Sequence, residues 1–297
     1  MSSESAPATD LTQVYRKSVA ELASAGVPDA EVDAALLIGH VLGLGRGELD
    51  AKLISGVTLT DSQVDEVTAL VQRRASREPL QHILGVAWFR SLTLAVGPGV
   101  FVPRPETELL AGMAIDALRS LPDPAPIAVD LGSGSGAIAL AMATEVPHAT
   151  IYAIEKSDEA YPWTSRNFET SGATNAHLTH GDATTDDLLN AFPQLEGNVS
   201  VIVSNPPYIP ADAIPRDIEV QLHDPAIALY GGEDGLDVVR AISLRGRVLG
   251  RPGAQLMLEH GELQGESIRE ILTTDGWRAA TTHSDLVGRD RYTTATL

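Results

Sequence analysis

Apolar residues recur at two different spacings along the chain, and the change of spacing divides it. From about residue 10 to residue 76 they follow the i, i+3, i+4 spacing of amphipathic helices. One apolar face begins at Leu11, a second follows Pro28, and a third begins at Thr60, with Gln63 placed to complete a capping box. The pattern predicts a small N-terminal bundle of three short helices.

After this region the pattern becomes alternating and is punctuated by glycine and proline, which predicts a hairpin-like connector over residues 86–105. Beyond it, β-branched apolar runs alternate with helical segments. The runs that predict strands are 127–131, 150–156, 176–182, 199–205 and 254–261, followed by an antiparallel pair formed by WRAATTHSD and RYTTATL. Such alternation predicts an α/β fold with a mainly parallel, Rossmann-like sheet and ligands at the carboxyl ends of its strands. We therefore expect three parts: residues 1–85, a connector at 86–105, and an α/β domain at 106–297.

Composition narrows the classes of function. The chain has no cysteine, which excludes disulfides and thiolate chemistry and favours a cytoplasmic enzyme. No apolar run approaches the roughly 20 residues that span a bilayer, so we expect no membrane partner. The net charge of −19 argues against a nucleic-acid partner. Arg73, Arg74 and Arg77 are interpreted as a solvated helix face or as domain contacts.

A glycine-rich loop follows the first strand of the predicted sheet. It comprises Gly132, Ser133, Gly134, Ser135 and Gly136. Such a loop lets the backbone approach a ligand closely, but alone it also fits a tight turn or a dinucleotide site. Ala137 occupies the third glycine position of the dinucleotide pattern, and the acidic Asp130 is unfavourable beside a pyrophosphate. A positively charged cofactor without phosphates suits the loop better.

Acidic residues stand at the next two strand ends. Glu155 can accept hydrogen bonds from both hydroxyls of a ribose. The Asp182 carboxylate and the Ala183 N–H can hydrogen-bond the edge of an adenine. Together with the loop these residues describe an adenosine site with no phosphate clamp, which predicts S-adenosylmethionine as cofactor. We expect no metal, because His177 and His180 point to opposite faces of a strand.

The fourth strand ends in Asn205, Pro206, Pro207 and Tyr208. The side-chain carbonyl of Asn205 and the backbone carbonyl of Pro206 can each accept one hydrogen of a planar –NH2 group. The prolines fix both acceptors in advance, and the ring of Tyr208 can stack on a planar amide or base. We therefore predict a catalytic site that methylates a planar nitrogen.

This motif, with Asp-Leu-Gly-x-Gly-x-Gly upstream, resembles the amino-methyltransferases. Two segments, REPLQHILG (77–85) and VFVPRPETELL (100–110), are similar to the HemK/PrmC group of protein-(glutamine-N5) methyltransferases. The resemblance covers nearly the whole chain, including LEHG and the neighbourhood of Gly288–Arg291. It implies that the substrate is the glutamine of the Gly-Gly-Gln motif in class I peptide-chain release factors. The N-terminal bundle has its own helical periodicity, which fits either mere packing or partner recognition, and we expect it to dock the protein substrate.

The same resemblance implies cofactor contacts from Gly132–Gly136, Glu155 and Ala183, with Phe101 lining the cavity. Glu155 replaces an aspartate that is frequent in the family, and Ala183 replaces an aromatic residue, so adenine stacking is expected to be weaker or supplied elsewhere. Two alternative substrates remain: a ribosomal-protein glutamine, and adenine N6 of DNA or RNA, on which the same motif acts after base flipping. A different class of hypothesis is a non-enzymatic scaffold, which has no need of an intact Asn205–Tyr208 motif.

Overall fold

The computed structural model describes residues 9–297, which form two compact units. The first unit extends to Gly85 and also contains Arg216–His223. The second comprises Val86–Pro215 and Asp224–Leu297. The sequence pattern gave no sign that a short segment inside the α/β region belongs to the helical unit. Among residues 9–297, no helix is both long enough and apolar enough to cross a bilayer.

The secondary structure alternates as the sequence pattern predicts. The helices are α1 (Leu11–Ser24), α2 (Ala30–Leu42), α3 (Arg46–Ser55), α4 (Asp61–Ala75), α5 (Leu80–Leu84), α6 (Thr107–Ser120), α7 (Ala137–Glu145), α8 (Tyr161–Thr170), α9 (Asp187–Ala191), α10 (Ile218–His223), α11 (Ala226–Leu229), α12 (Asp237–Leu249) and α13 (Gly265–Thr274). The strands are β1 (Thr9–Asp10), β2 (Thr58–Leu59), β3 (Val86–Phe89), β4 (Leu92–Ala95), β5 (Ile127–Leu131), β6 (Thr150–Glu155), β7 (Ala176–His180), β8 (Val199–Ser204), β9 (Gly250–Glu259), β10 (Arg278–Ser284) and β11 (Asp290–Thr296).

The first unit is a helical bundle with one more long helix than the apolar pattern predicts. The capping box at the start of α4 is confirmed, since Gln63 N donates to Thr60 Oγ1 at 3.3 Å and Thr60 N donates to Gln63 Oε1 at 3.0 Å. The additional helix is α3. It buries only Leu49, so it has no apolar face that a periodicity could reveal.

One arginine of α4 is buried, which excludes the first of its two interpretations, a solvated helix face. Arg74 is 5% exposed, and its Nε lies 2.6 Å from Asp33 Oδ2 on α2. Its Nη2 lies 2.8 Å from Glu219 Oε1, and its Nη1 donates to the Glu78 carbonyl at 3.0 Å. The neighbouring Arg73 pairs with Glu78 at the surface. Arg74 therefore joins three segments of the first unit.

The second unit is built on a seven-stranded sheet with the order β10-β11-β9-β8-β5-β6-β7. The five strands from β9 to β7 run parallel, and β11 and β10 add antiparallel pairs at one end. The strands β5 and β8 lie at the centre and are covered on both faces, which explains their nearly continuous apolar sequences. The predicted fold class is confirmed.

Each face of the sheet has its own apolar core. On one face, residues such as Ala128, Ile151 and Val201 pack with α6 and α7. On the other face, residues such as Val129 and Ile202 pack with α12 and α13. Helices on both faces of a parallel sheet give the three-layer α/β arrangement, and they leave the strand ends for ligands.

The hairpin of β3 and β4 is joined to the rest of the second unit by Asn167. Val86 pairs with Ala95 and Phe89 with Leu92 across the two strands. The Ala95 N–H donates to Asn167 Oδ1 at 2.7 Å, and Asn167 Nδ2 donates to the Ala95 carbonyl at 3.0 Å. The same Nδ2 donates to the Ser135 carbonyl at 2.9 Å. The hairpin and the glycine-rich loop are therefore held by one side chain.

The adjacent arginines of α4 provide a comparison of a buried and an exposed ion pair. Arg74→Ala leaves Asp33 buried without its partner, so we expect the free energy of unfolding to fall by about 3–5 kcal/mol. Arg73→Ala removes a surface pair and is expected to cost less than about 1 kcal/mol. Urea denaturation of the full chain measures both. Equal losses in the two variants would contradict the structural role of Arg74.

Candidate active site

The carboxyl ends of the parallel strands bring the predicted site residues to one edge of the sheet. Leu131 pairs with Ile154 between β5 and β6, and Asp130 pairs with Val203 between β5 and β8. The end of β8 is tied to the end of β5, because Ser204 Oγ donates to the Leu131 carbonyl at 2.5 Å. The loop after β5 and the Asn205 motif after β8 are therefore neighbours.

The glycine-rich loop turns sharply away from β5. The N–H groups of Gly132 and Ser133 both donate to the Ile154 carbonyl at 3.0 Å. Gly132 and Gly134 have φ values of +81° and +56°, which favour glycine. A Cβ added to either residue would meet no atom within 4 Å, so the loop faces open space on that side.

Asp130 is fully buried beneath the loop. Its Oδ2 accepts hydrogen bonds from Ser133 Oγ at 2.7 Å and from the Ala139 N–H at 3.2 Å. Burial raises the pKa of this carboxyl to about 6. Its Oδ1 has no hydrogen-bond partner among residues 9–297. Asp130 therefore anchors the loop to the start of α7 and adds negative charge under it.

Glu155, at the end of β6, is hydrogen-bonded to the middle of the same loop. Its Oε2 accepts the Gly134 N–H at 2.7 Å, and its Oε1 accepts the Ser157 N–H at 2.7 Å. The side chain is buried, and desolvation raises its pKa. Each carboxylate oxygen has two acceptor positions, so Glu155 can still accept ligand hydroxyls.

Asp182 and Ala183 follow β7 in a segment that is held by several polar contacts. Asp182 Oδ2 lies 2.6 Å from Lys156 Nζ, and its Oδ1 accepts from Thr184 N at 2.8 Å and Thr184 Oγ1 at 2.6 Å. Ala183 packs partly buried against one apolar core. The Asp182 carboxylate is thus already bound by protein groups, and the Ala183 side chain offers no ring for stacking.

Phe101 lies in a segment that packs near the start of α8. Its neighbours Val100 and Val102 cluster with Ala160. The guanidinium carbon of Arg104 stands 4.7 Å from the centre of the Phe101 ring, a cation–π contact. Arg104 also pairs with Asp224 at 2.7 Å. The Arg104 guanidinium therefore lies over one face of the Phe101 ring.

The Asn205–Tyr208 segment is held rigidly. Asn205 Nδ2 donates to Thr107 Oγ1 at 3.2 Å, and the Tyr208 carbonyl accepts from Gln264 Nε2 at 2.8 Å. Pro206 is buried. Burial raises the pKa of Tyr208, so its hydroxyl stays protonated at neutral pH.

Two glycines let another loop lie directly against this segment. A Cβ added at Gly231 would collide with the Pro207 carbonyl oxygen, and one added at Gly235 would collide with the Tyr208 carbonyl oxygen. The contact is reinforced because Ile209 N donates to the Leu229 carbonyl at 2.8 Å. The diproline alone therefore does not fix the motif, and a second loop encloses it.

Sequence reasoning missed two buried polar residues at this edge, Thr107 and Glu259. Thr107 is 4% exposed at the start of α6, and Glu259 is 3% exposed at the end of β9. Burial raises the pKa of Glu259 to about 7, although hydrogen bonds from Thr107 and Asn205 and the charge of Arg291 oppose the shift. The sequence feature that could have identified Glu259 is that it is the single acidic residue in the segment AQLMLEHG.

The groups at the glycine-rich loop are suited to one kind of ligand. Open space above Gly132 and Gly134 admits a ligand, and two buried carboxyls lie under and beside it. Carboxylates accept hydroxyl groups and attract positive charge, whereas they repel a pyrophosphate. The site therefore fits a cationic nucleoside better than a dinucleotide.

The chain is similar in sequence to known proteins along most of its length. The model for the PrmC N-terminal domain matches residues 13–85, and the model for the methyltransferase small domain matches residues 98–228. A release factor glutamine methyltransferase of Streptomyces coelicolor is 46% identical over 92% of this chain and 93% of that protein. A 4-amino-L-phenylalanine/4-methylamino-L-phenylalanine methyltransferase of Streptomyces pristinaespiralis is 36% identical over 91% of this chain and 90% of that protein.

Solved structures share the fold at much lower identity. A methyltransferase from Pyrococcus furiosus superposes with a TM-score of 0.50 at 19% identity, covering 70% of this chain and 89% of that one. The relatives of high identity cover nearly the full length, so both the helical part and the α/β part are matched. The chain belongs to the release factor glutamine methyltransferase family.

Proposed function

We propose that the protein transfers a methyl group from S-adenosylmethionine to the side-chain amide nitrogen of the glutamine in the Gly-Gly-Gln motif of class I peptide-chain release factors. The observation that carries this proposal is the rigid Asn205–Tyr208 segment beside the glycine-rich loop, since its acceptors suit a planar –NH2 group. The name of the 46%-identical relative supports the choice of a release factor.

The cofactor would be held by Gly132–Gly136 and Glu155, with Phe101, Asp182 and Ala183 as further contacts. S-adenosylmethionine supplies a methyl group on a positively charged sulfur. The backbone of the loop can approach the cofactor closely, and Glu155 can accept the ribose hydroxyls. The negative charge of the buried carboxyls favours a cation at this edge.

Asn205 and Pro206 make the amide reactive by orienting it. An amide nitrogen is a weak nucleophile because its lone pair is delocalised. Asn205 Oδ1 and the Pro206 carbonyl each accept one N–H, which fixes the nitrogen toward the methyl group, while the Tyr208 ring covers the amide plane. The new N–C bond forms as the S–C bond breaks, and the alkylated amide then loses a proton to solvent.

We assign the helical unit to docking of the protein substrate. It is a compact unit of its own and lacks the loop and the Asn205 motif. Ile54 on α3 is 88% exposed, so a substitution there changes the surface of this unit without changing its core. A release-factor substrate and the absence of cysteine both favour a cytoplasmic location.

Small aromatic amines are a second candidate substrate class. The 36%-identical relative is named for 4-amino-L-phenylalanine, whose amino group is also planar. A ribosomal-protein glutamine and adenine N6 of nucleic acid complete the set of planar nitrogens to be compared.

Glu155→Ala should weaken binding of S-adenosylmethionine by about 1–3 kcal/mol, because hydrogen bonds to a charged group are lost. Isothermal titration calorimetry measures the change, with the exposed Glu196→Ala as a matched control of equal charge change. Unchanged affinity in Glu155→Ala would show that the ribose lies elsewhere.

Asn205→Ala should lower turnover at least about 100-fold without unfolding the protein, because positioning and transition-state hydrogen bonds are lost together. Tyr208→Phe should be milder than Tyr208→Ala, since stacking requires the ring. Initial rates with a labelled methyl donor test both statements.

The substrate assignment requires a comparison of acceptors under the same conditions. These are a release factor, its Gly-Gly-Ala variant, a ribosomal-protein preparation, DNA and 4-amino-L-phenylalanine. We expect label in the intact release factor alone. Label in the alanine variant, in nucleic acid or in the free amine would contradict the proposed substrate and identify the labelled molecule as the acceptor.

Ile54→Ser should raise KM for the intact release factor and leave turnover of a short Gly-Gly-Gln peptide unchanged, because the peptide lacks the rest of the factor that the helical unit is proposed to dock. Steady-state kinetics on both substrates test the docking role. The same KM for the intact factor in variant and wild type would exclude this face of α3 from docking.

A further inference from the structure

Glu259 lies directly beside the asparagine of the active site. The strands β8 and β9 are parallel, and Ser204 pairs with Leu258. Asn205 directly follows Ser204 after the end of β8, and Glu259 follows Leu258 as the last residue of β9, so the two are neighbours at the same edge of the sheet. Glu259 is 3% exposed, which makes it a buried acidic neighbour of the proposed acceptor-binding group.

The contacts of Asn205 distinguish its two polar atoms. Its Nδ2 donates to Thr107 Oγ1 at 3.2 Å, and Thr107 and Asn205 each favour the charged form of the Glu259 carboxyl, which lowers its pKa against the larger effect of burial. A carboxylate is only an acceptor, so Asn205 must present its –NH2 side to Glu259. The carbonyl Oδ1 is then turned away from Glu259 and is left for a substrate N–H.

Burial of the Glu259 carboxyl destabilises the folded state. Its Oε2 has no hydrogen-bond partner within residues 9–297. Burying a carboxylate with incomplete hydrogen bonding is unfavourable, and a neutral side chain of similar size would fill the same space at lower cost. Such a cost is typical of a group that serves the reaction.

We propose that Glu259 is a positioning residue for methyl transfer: together with Thr107 it holds the Asn205 amide in the orientation that presents Oδ1 to the acceptor nitrogen. This role rests on the proposed function of Asn205, and it applies to any planar –NH2 acceptor.

Ionisation of Glu259 decides which orientation is favoured. The charged or titratable groups that face it are Arg291 and Tyr292 on β11, Glu106 before α6, Tyr208 after β8, and the adjacent His260. Burial raises the pKa of both tyrosines and lowers that of His260, so these three stay neutral near pH 7. A protonated Glu259 can donate to Asn205 Oδ1 and so favour the unproductive orientation.

The test is a double-mutant cycle with Glu259→Gln and Asn205→Ala, read as kcat and KM. Glu259→Gln alone should lower kcat about tenfold or more, with KM and the affinity for S-adenosylmethionine unchanged. In the Asn205→Ala background it should cause no further loss, because the residue it positions is gone. Equal losses in both backgrounds, or a change in KM alone, would overturn the proposal.

Further variants separate positioning from folding. Thr107→Val should reproduce part of the loss and Thr107→Ser should restore it, while the exposed Glu262→Gln serves as the acidic control. The kcat of the wild type should rise with pH through the ionisation of Glu259, and that limb should vanish in Glu259→Gln. A limb that persists in Glu259→Gln would contradict the role of its ionisation.

The same double-mutant cycle tells a failure of the positioning role apart from a failure of the release-factor assignment. It is measured on whichever acceptor takes up label, so an unexpected acceptor would overturn the release-factor assignment and leave the coupling intact. Additive losses with the release factor as acceptor would overturn the positioning role and leave the substrate assignment intact.

Discussion

The parallel pairing of β5 with β8, and of β8 with β9, is the constraint on which the site depends. It sets Asp130 opposite Val203 and Ser204 opposite Leu258, so the groups that follow these strands emerge at one edge. The hydrogen bond from Ser204 Oγ to the Leu131 carbonyl fixes the spacing between the glycine-rich loop and Asn205. A shift of one residue in either pairing would turn the side chains to opposite faces and separate the cofactor loop from the acceptor site.

Buried acidic groups are the second feature of this edge. Burial raises the pKa of Asp130 to about 6 and that of Glu259 to about 7, and it also raises the pKa of Glu155. A raised pKa means that the folded state binds these protons more tightly than the unfolded chain does. The three groups therefore reduce stability as pH rises from roughly 4 towards 7, which is the cost of placing negative charge where a cation is expected. The carboxyls also have distinct positions: Asp130 and Glu155 hold the loop, whereas Glu259 lies beside Asn205 at the end of β9.

The sequence predicted those parts of the molecule that depend on local patterns. The strands at 127–131 and 199–204 are buried runs that are followed by Gly132 and, after Asn205, by Pro206, so their bounds could be predicted closely. The capping box of Thr60 and Gln63 is a contact between residues three positions apart. By contrast, α3 buries one residue and leaves no periodic signal. The contact of Asn205 with Thr107 joins residues 98 positions apart, and the burial of Arg74 depends on Asp33 on another helix. Such contacts arise from packing, which a single sequence does not specify through spacing.

The central claim is that a glutamine amide nitrogen receives the methyl group. Fragment-ion mass spectrometry of a release factor, after incubation with this protein and S-adenosylmethionine carrying a deuterated methyl group, locates the transferred group directly. Our account predicts a single labelled methyl on the side-chain nitrogen of the Gly-Gly-Gln glutamine. A methyl group on a carboxylate, on a backbone atom or on any other residue of the factor would contradict it.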